Sequence, residues 1–183
     1  MQKIFMIKNT SEQFGLVTKL IHWLSAFTIL ALFVLGFWMV DLDYYNDWYQ
    51  TAPHWHESVG ILLLIVTLLR VFWRLINVTP EPLENQSVLI VKSAKLAHLL
   101  LYCLLLLVMF SGYLIPTADD RVISVFNWFD VISFGELFSN QEDISGLIHE
   151  YAAYSLIALS LLHALAAIKH HYINKDATLQ RMM

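Results

Sequence analysis

The stretch ISGLIHEYAAYSLIALSLLHALAAIKH, residues 144–170, decides how this chain folds. It is apolar for long enough to cross a bilayer as a helix, which takes about 20 residues for roughly 30 Å of hydrocarbon. Besides His170 at its end, two histidines stand inside it, His149 and His163, fourteen residues apart. On a helix that spacing is nearly four turns, so both rings leave almost the same face, separated by roughly 21 Å along the axis. Ionisable residues inside a membrane span are costly and usually serve a function. One helix therefore presents two imidazoles at two membrane depths.

Working outward, three more stretches of similar length and character precede it, at residues 17–40, 54–76 and 94–115. The chain has 183 residues, of which 58% are hydrophobic, and a mean hydropathy of +0.59. That excludes an ordinary soluble domain. Spans in lipid must satisfy their own backbone groups, which forces closed helices. The expected fold is all-α, an integral membrane four-helix bundle occupying residues 1–183 as a single transmembrane domain. The first stretch is too long for a signal peptide and has no small-residue cleavage site after it, so it reads as a retained helix. Pro80 and Pro82 mark the second connection. The third connection, residues 117–143, is rich in Val, Ile, Phe and Trp128 in its middle. It is expected to lie on the membrane interface or to cap one end of the bundle.

Charge fixes the orientation. Lys3, Lys8, Lys19, Arg70, Arg74, Lys92, Lys95, Lys169, Lys175 and Arg181 all fall on one side of this layout, leaving only Arg121 on the other. The positive-inside rule then puts both termini in the cytoplasm. The opposite side, the periplasm in a bacterium, carries Asp41, Asp43, Asp47, Asp119, Asp120, Asp130, Glu136, Glu142 and Asp143. The chain reads as a multi-pass protein of the bacterial inner membrane, with lipid around it and no nucleic-acid partner.

Each histidine on the last helix needs a partner at its own depth. His22 begins the first span on the cytoplasmic side, level with His163. His56 begins the second span on the periplasmic side, level with His149. Two facing imidazoles suit the axial positions of a haem iron, and a bundle core lined from facing helices is a usual place for one. Zinc or copper would want three or four ligands at one level; the pattern here is two and two. Purely structural histidines remain the alternative, one that four rings at matched depths make hard to sustain. The single cysteine, Cys103, allows no internal disulfide, and with no C-x-x-C-H motif any haem is held without covalent attachment. With both axial positions filled, the work left to such an iron is electron transfer.

Weaker signals surround the histidines. Gly60 follows His56 by one turn, and Ala152, Ala153, Ser160, Ala166 and Ala167 thin the last helix. Small residues leave room for a flat macrocycle, and they serve close helix packing equally well. Gly36 and Gly112 are ambiguous in the same way. Arg70 and Arg74, one turn apart, suit either haem propionates or interfacial anchoring.

These residues, I-H-W at 21–23, H-x-x-x-G at 56–60, H-E at 149–150, L-H-A at 162–164 and the string HHYINKDATLQRM at 170–182, together resemble the prokaryotic cytochrome b561 family over nearly the whole chain. The resemblance implies four transmembrane helices, two b haems and exchange with a quinone near the cytoplasmic haem. It carries over His22, His56, His149 and His163 as axial ligands; His54 does not fit the pattern. It also implies that His170 borders the quinone, where interfacial snorkelling is the plain alternative. His98 falls near the same level and is a second candidate for a quinone carbonyl or its protons.

The expected function is electron transfer across the membrane between a quinone pool and a periplasmic redox partner. Whether the chain is itself an enzyme stays open. One type of protein in the family oxidises superoxide at the periplasmic face and reduces ubiquinone, but an anionic substrate favours a positive funnel. The outer loops here oppose nine carboxylates to Arg121. A haem-bearing membrane anchor of a larger oxidoreductase is the third reading.

Overall fold

The computed structural model of the chain describes residues 6–83 and 86–183. Lys3, counted above among the inner basic residues, lies outside the described residues. Four helices follow in order: α1 (Leu16–Met39), α2 (Thr51–Ile76), α3 (Val88–Thr117) and α4 (Gln141–Lys169). All four are long and apolar enough to cross a membrane. Their surface is inverted relative to a soluble protein. Ser25, Ser58, Thr67, Ser111, Thr117 and Ser145 are buried, while Phe27 and Leu162 are 65% and 63% exposed. Lipid exerts no hydrophobic drive between helices, so small and hydroxyl residues take the interior and large apolar ones face outward.

The helices are arranged as two hairpins. α1 packs along α2 and α3 along α4, α2 also meets α3, and α1 and α4 barely touch. α3 begins six residues before the position expected from hydropathy, at Val88 rather than Ala94. Ser87 caps it, its hydroxyl accepting from the Ile90 N–H at 3.4 Å. Nothing between the cap and the apolar run breaks a helix, so the helix continues past the hydrocarbon with Lys92 and Lys95 exposed. α4 starts with Glu142 and Asp143 in its first turn, where carboxylates meet the positive end of the helix dipole.

Among the described residues the chain departs from all-helical architecture in one place. Residues 123–131 form an antiparallel hairpin of β1 (Ile123–Val125) and β2 (Phe129–Val131), with Val125 opposite Phe129. Phe126 and Asn127 turn the chain at φ of 47° and 59°, and the Trp128 N–H closes the turn on the Val125 carbonyl at 2.8 Å. The aromatic richness of this stretch masks a short apolar alternation: Ile123 and Val125 are buried against Ile61 of α2. Ser58 fastens it, accepting from the Phe126 N–H at 3.1 Å and donating to the Ser124 carbonyl at 3.3 Å. The hairpin thus sits over the start of α2, with Trp128 73% exposed. Ser58→Ala leaves these backbone groups without a partner, and an orphaned buried group costs about 1–3 kcal/mol. The expected result is faster hydrogen exchange at the Phe126 amide and a lower Tm, with the far end of the bundle unchanged.

Candidate functional site: two histidine couples between the hairpins

The four histidines singled out in the sequence meet in pairs, each pair joining one hairpin to the other. His22 of α1 faces His163 of α4 with ring centroids 6.5 Å apart, near the start of α1 and the end of α4. His56 of α2 faces His149 of α4 at 6.0 Å, near the hairpin end. His54 lies apart from both, edge-on to Phe126. Among the described residues no group of three or more His, Cys, Asp and Glu is gathered for a metal ion.

The surroundings of the second couple orient its rings. His149 Nδ1 lies 2.8 Å from the Val108 carbonyl of α3. A carbonyl only accepts, so Nδ1 carries the proton and the Nε2 lone pair is free. One turn after Val108 stands Gly112, where a Cβ would lie 2.9 Å from His149 Cε1 and Nδ1. At Gly36 of α1 a Cβ would lie 3.0 Å from His56 Cε1. The absence of side chains at these two glycines is what lets the rings sit against the neighbouring helices. Gly60 instead borders open space, as does Gly146, three residues before His149.

The first couple is more crowded. His98 of α3 lies edge-on to His163 with centroids 5.2 Å apart, so three imidazoles from three helices share this level. Arg70 donates to His22 Nδ1 at 3.0 Å. Arg70 and Arg74 both lie over the ring of Tyr102, at 5.4 and 5.7 Å, a cation–π arrangement the sequence reading passed over. An Nδ1 that accepts from a guanidinium leaves the hydrogen of neutral His22 on Nε2. Metal ligation through Nε2 would require the reverse, so that ligation and this contact exclude one another.

Beyond α4 the backbone loosens into a π-helical turn, His170–Asn174. His170 Nδ1 meets Asp176 Oδ2 at 2.5 Å. Desolvation alone would raise Asp176, but its hydrogen bonds with Thr178 and His170 outweigh that and hold its carboxyl below the ordinary aspartate value. A lowered carboxylate contributes stability above its unfolded pKa and loses it as pH falls through the folded one. Asp176→Asn is therefore expected to lower Tm at neutral pH, with the gap to the parent closing in acid. A gap that stays constant down to pH values below the aspartate range would contradict this. At the opposite end, Arg121, the one basic residue within 41–53 and 117–143, is paired with Glu57 at 2.8 Å.

Four apolar helices with paired imidazoles at two depths define a helical membrane protein of the cytochrome b kind. The chain belongs to the prokaryotic cytochrome b561 family, whose sequence model matches residues 13–183. It is 46% identical to cytochrome b561 homolog 2 of Escherichia coli K12 over 96% of this chain and 93% of that protein. A probable superoxide oxidase of Yersinia pestis is 30% identical, over 89% of this chain and 91% of its own length. Cytochrome b561 homolog 1 of E. coli K12 is 28% identical, over 89% and 92%. Membership makes the chain a membrane electron-transfer protein that uses b-type haem.

The residues present suit that group. Two imidazoles bound to one metal through bonds of about 2 Å have centroids roughly 6 Å apart, which matches 6.0 and 6.5 Å. The 5.2 Å between His98 and His163 is shorter. His56 Nδ1 is buried with no partner among the described residues, and Gly60 and Gly146 leave open space within a turn of the second couple.

Proposed function

We propose that this protein is a di-haem cytochrome of the bacterial inner membrane, with both termini cytoplasmic, carrying electrons between a quinone and a periplasmic partner. His22 with His163 would hold the cytoplasmic haem and His56 with His149 the periplasmic one, both without covalent attachment. The observation that carries the reading is the meeting of two imidazole couples at metal-spanning distance and at two depths, each joining separate hairpins.

When bound, each haem supplies a reversible one-electron centre, and full axial ligation directs it to electron transfer rather than oxygen binding. The chain's own contribution is placement. The Val108 carbonyl fixes the His149 tautomer, with Nε2 as the ligating atom. Gly36 and Gly112 keep the helices close while the rings stay clear. Arg70, freed from His22 if that imidazole were to ligate through Nε2, would with Arg74 be available to hold the propionates, which bidentate guanidinium geometry suits. His170, steadied by Asp176 through Nδ1, would keep Nε2 for a quinone oxygen, and His98, beside His163, would relay the accompanying proton.

The name of the Yersinia relative raises superoxide as a donor. The outer loops argue against it: nine carboxylates stand there, and Arg121 is spent on Glu57. Such a face suits a cationic or neutral partner. Purified protein is expected to contain about two haems per chain, to show a b-type reduced-minus-oxidised spectrum, and to be reduced by added quinol. Colourless protein, or haem that quinol leaves oxidised, would refute the corresponding part of the reading.

A further inference from the structure

The helices that carry His22 and His163 pack against each other only sparsely, with Phe33 of α1 edge-on to Tyr154 of α4 at 5.8 Å farther along the spans. α1 and α4 belong to different hairpins and barely meet, and lipid supplies no drive to bring them together. What joins them at the terminal end is the segment after α4. The π-helical turn ends at Lys175, whose φ of 54° reverses the chain. Asp176 locks the reversal. Its carboxylate meets His170 Nδ1 at 2.5 Å and accepts from the Thr178 N–H at 2.9 Å, while its own N–H returns to the His170 carbonyl at 3.1 Å.

The segment then crosses to α1. The Trp23 indole N–H donates to the Met182 carbonyl at 2.7 Å, and Lys19, one turn earlier, donates to the main-chain oxygen of Met183 at 2.6 Å. On its way it is tied to the connection between α2 and α3, Arg181 donating to the Glu81 carbonyl at 2.6 Å. Trp23 follows His22 directly, lies edge-on to its ring at 5.4 Å and stacks on Phe27. Its anchors on α1, Lys19 and Trp23, stand on either side of His22 in the sequence.

We infer that residues 175–183 form a strap that sets the separation of α1 and α4 and so positions His22 against His163, with Trp23 and Asp176 as the positioning residues. The strap is defined by protein–protein bonds alone. Its consequence for a haem rests on the reading proposed above. At the other end the connection between α3 and α4 is fastened to α2 through Ser58 and Glu57, independently of residues 175–183, so loss of the strap acts on one couple and leaves His56 and His149 as an internal control.

The test separates the two ideas. In the full-length protein with Cys103→Ser, cysteines are placed at Leu20 of α1 and Ile168 of α4, both exposed. Their crosslinking is followed with bifunctional thiol reagents of graded length. The parent is expected to crosslink sharply at one length. Trp23→Phe, which keeps the ring and loses the N–H donor, Asp176→Ala, and truncation after Asn174 are each expected to cut that yield several-fold and to spread it over longer reagents. In the same proteins the midpoint potential and low-spin electron paramagnetic resonance signal of the cytoplasmic haem should shift while those of the other haem hold. An unchanged crosslinking profile in Trp23→Phe and in the truncated protein overturns the strap, and Trp23→Phe alone decides if the truncated chain does not insert. Altered crosslinking with both haems unmoved would overturn the positioning role. Absence of haem from the parent would overturn the proposed function, with the crosslinking profile still deciding the strap.

Discussion

His163→Ala is expected to lower the haem content of the purified protein from about two per chain to about one, since a bis-histidine iron that loses one axial ligand is poorly held. The remaining haem should keep its spectrum and potential, because His149, which faces His56 of α2, stands nearly four turns from His163 along α4. Quinol reduction should fail if the quinone exchanges at the cytoplasmic haem. His149→Ala is the mirror case: the other haem goes, and reduction by quinol survives. Pigment analysis with potentiometry checks both. Retention of both haems in His163→Ala would mean that His98, the neighbouring imidazole at 5.2 Å, takes the ligand's place, or that the proposed couple is wrong. The double substitution His98→Ala, His163→Ala distinguishes these outcomes.

Gly112→Val is expected to have an effect of the same order without touching a ligand. A Cβ at this position already lies 2.9 Å from two atoms of the His149 ring, closer than carbon contacts allow, and valine adds two methyl groups beyond it. Either the ring turns, breaking the 2.8 Å contact with the Val108 carbonyl, or α3 and α4 separate. Overpacking of this kind costs about 1–3 kcal/mol, and here the cost falls on the orientation of a ligand. Loss or marked weakening of the periplasmic haem is expected, with the cytoplasmic haem preserved. Gly60→Ala is the control, because a Cβ there meets nothing within 4 Å. Equal haem loss in the two variants would show that general helix packing, and not the seat of His149, is what the small residues provide.

Much of the architecture was legible in the chain because membrane helices are written in hydropathy. A span must be apolar for its whole length, so four such runs translate directly into four helices. The depth of each histidine follows from its position along a helix of fixed rise. The meeting of His22 with His163 and of His56 with His149 was therefore expected from arithmetic on one dimension. Other features resisted the same reading. The β-hairpin at residues 123–131 was passed over, because its alternation is only a few residues long and is buried among aromatics. The weight placed on Gly60 moved to Gly36 and Gly112, since sequence spacing along one helix says nothing about which neighbour a glycine lets in. The contacts of Arg70 with His22 and of both arginines with Tyr102 depend on the lateral arrangement of α1, α2 and α3.

The sequence by itself determined the number of spans, their chemistry and the depths at which imidazoles stand, because each of these is fixed by distance along a helix axis. Only the tertiary structure decided what happens sideways. It grouped the helices into two hairpins joined by histidine couples, brought a third imidazole beside His163, and laid the chain end across from α4 to α1. Lateral neighbours are chosen by side chains far apart in sequence and by backbone carbonyls such as Val108 and Met182, whose availability no residue letter encodes.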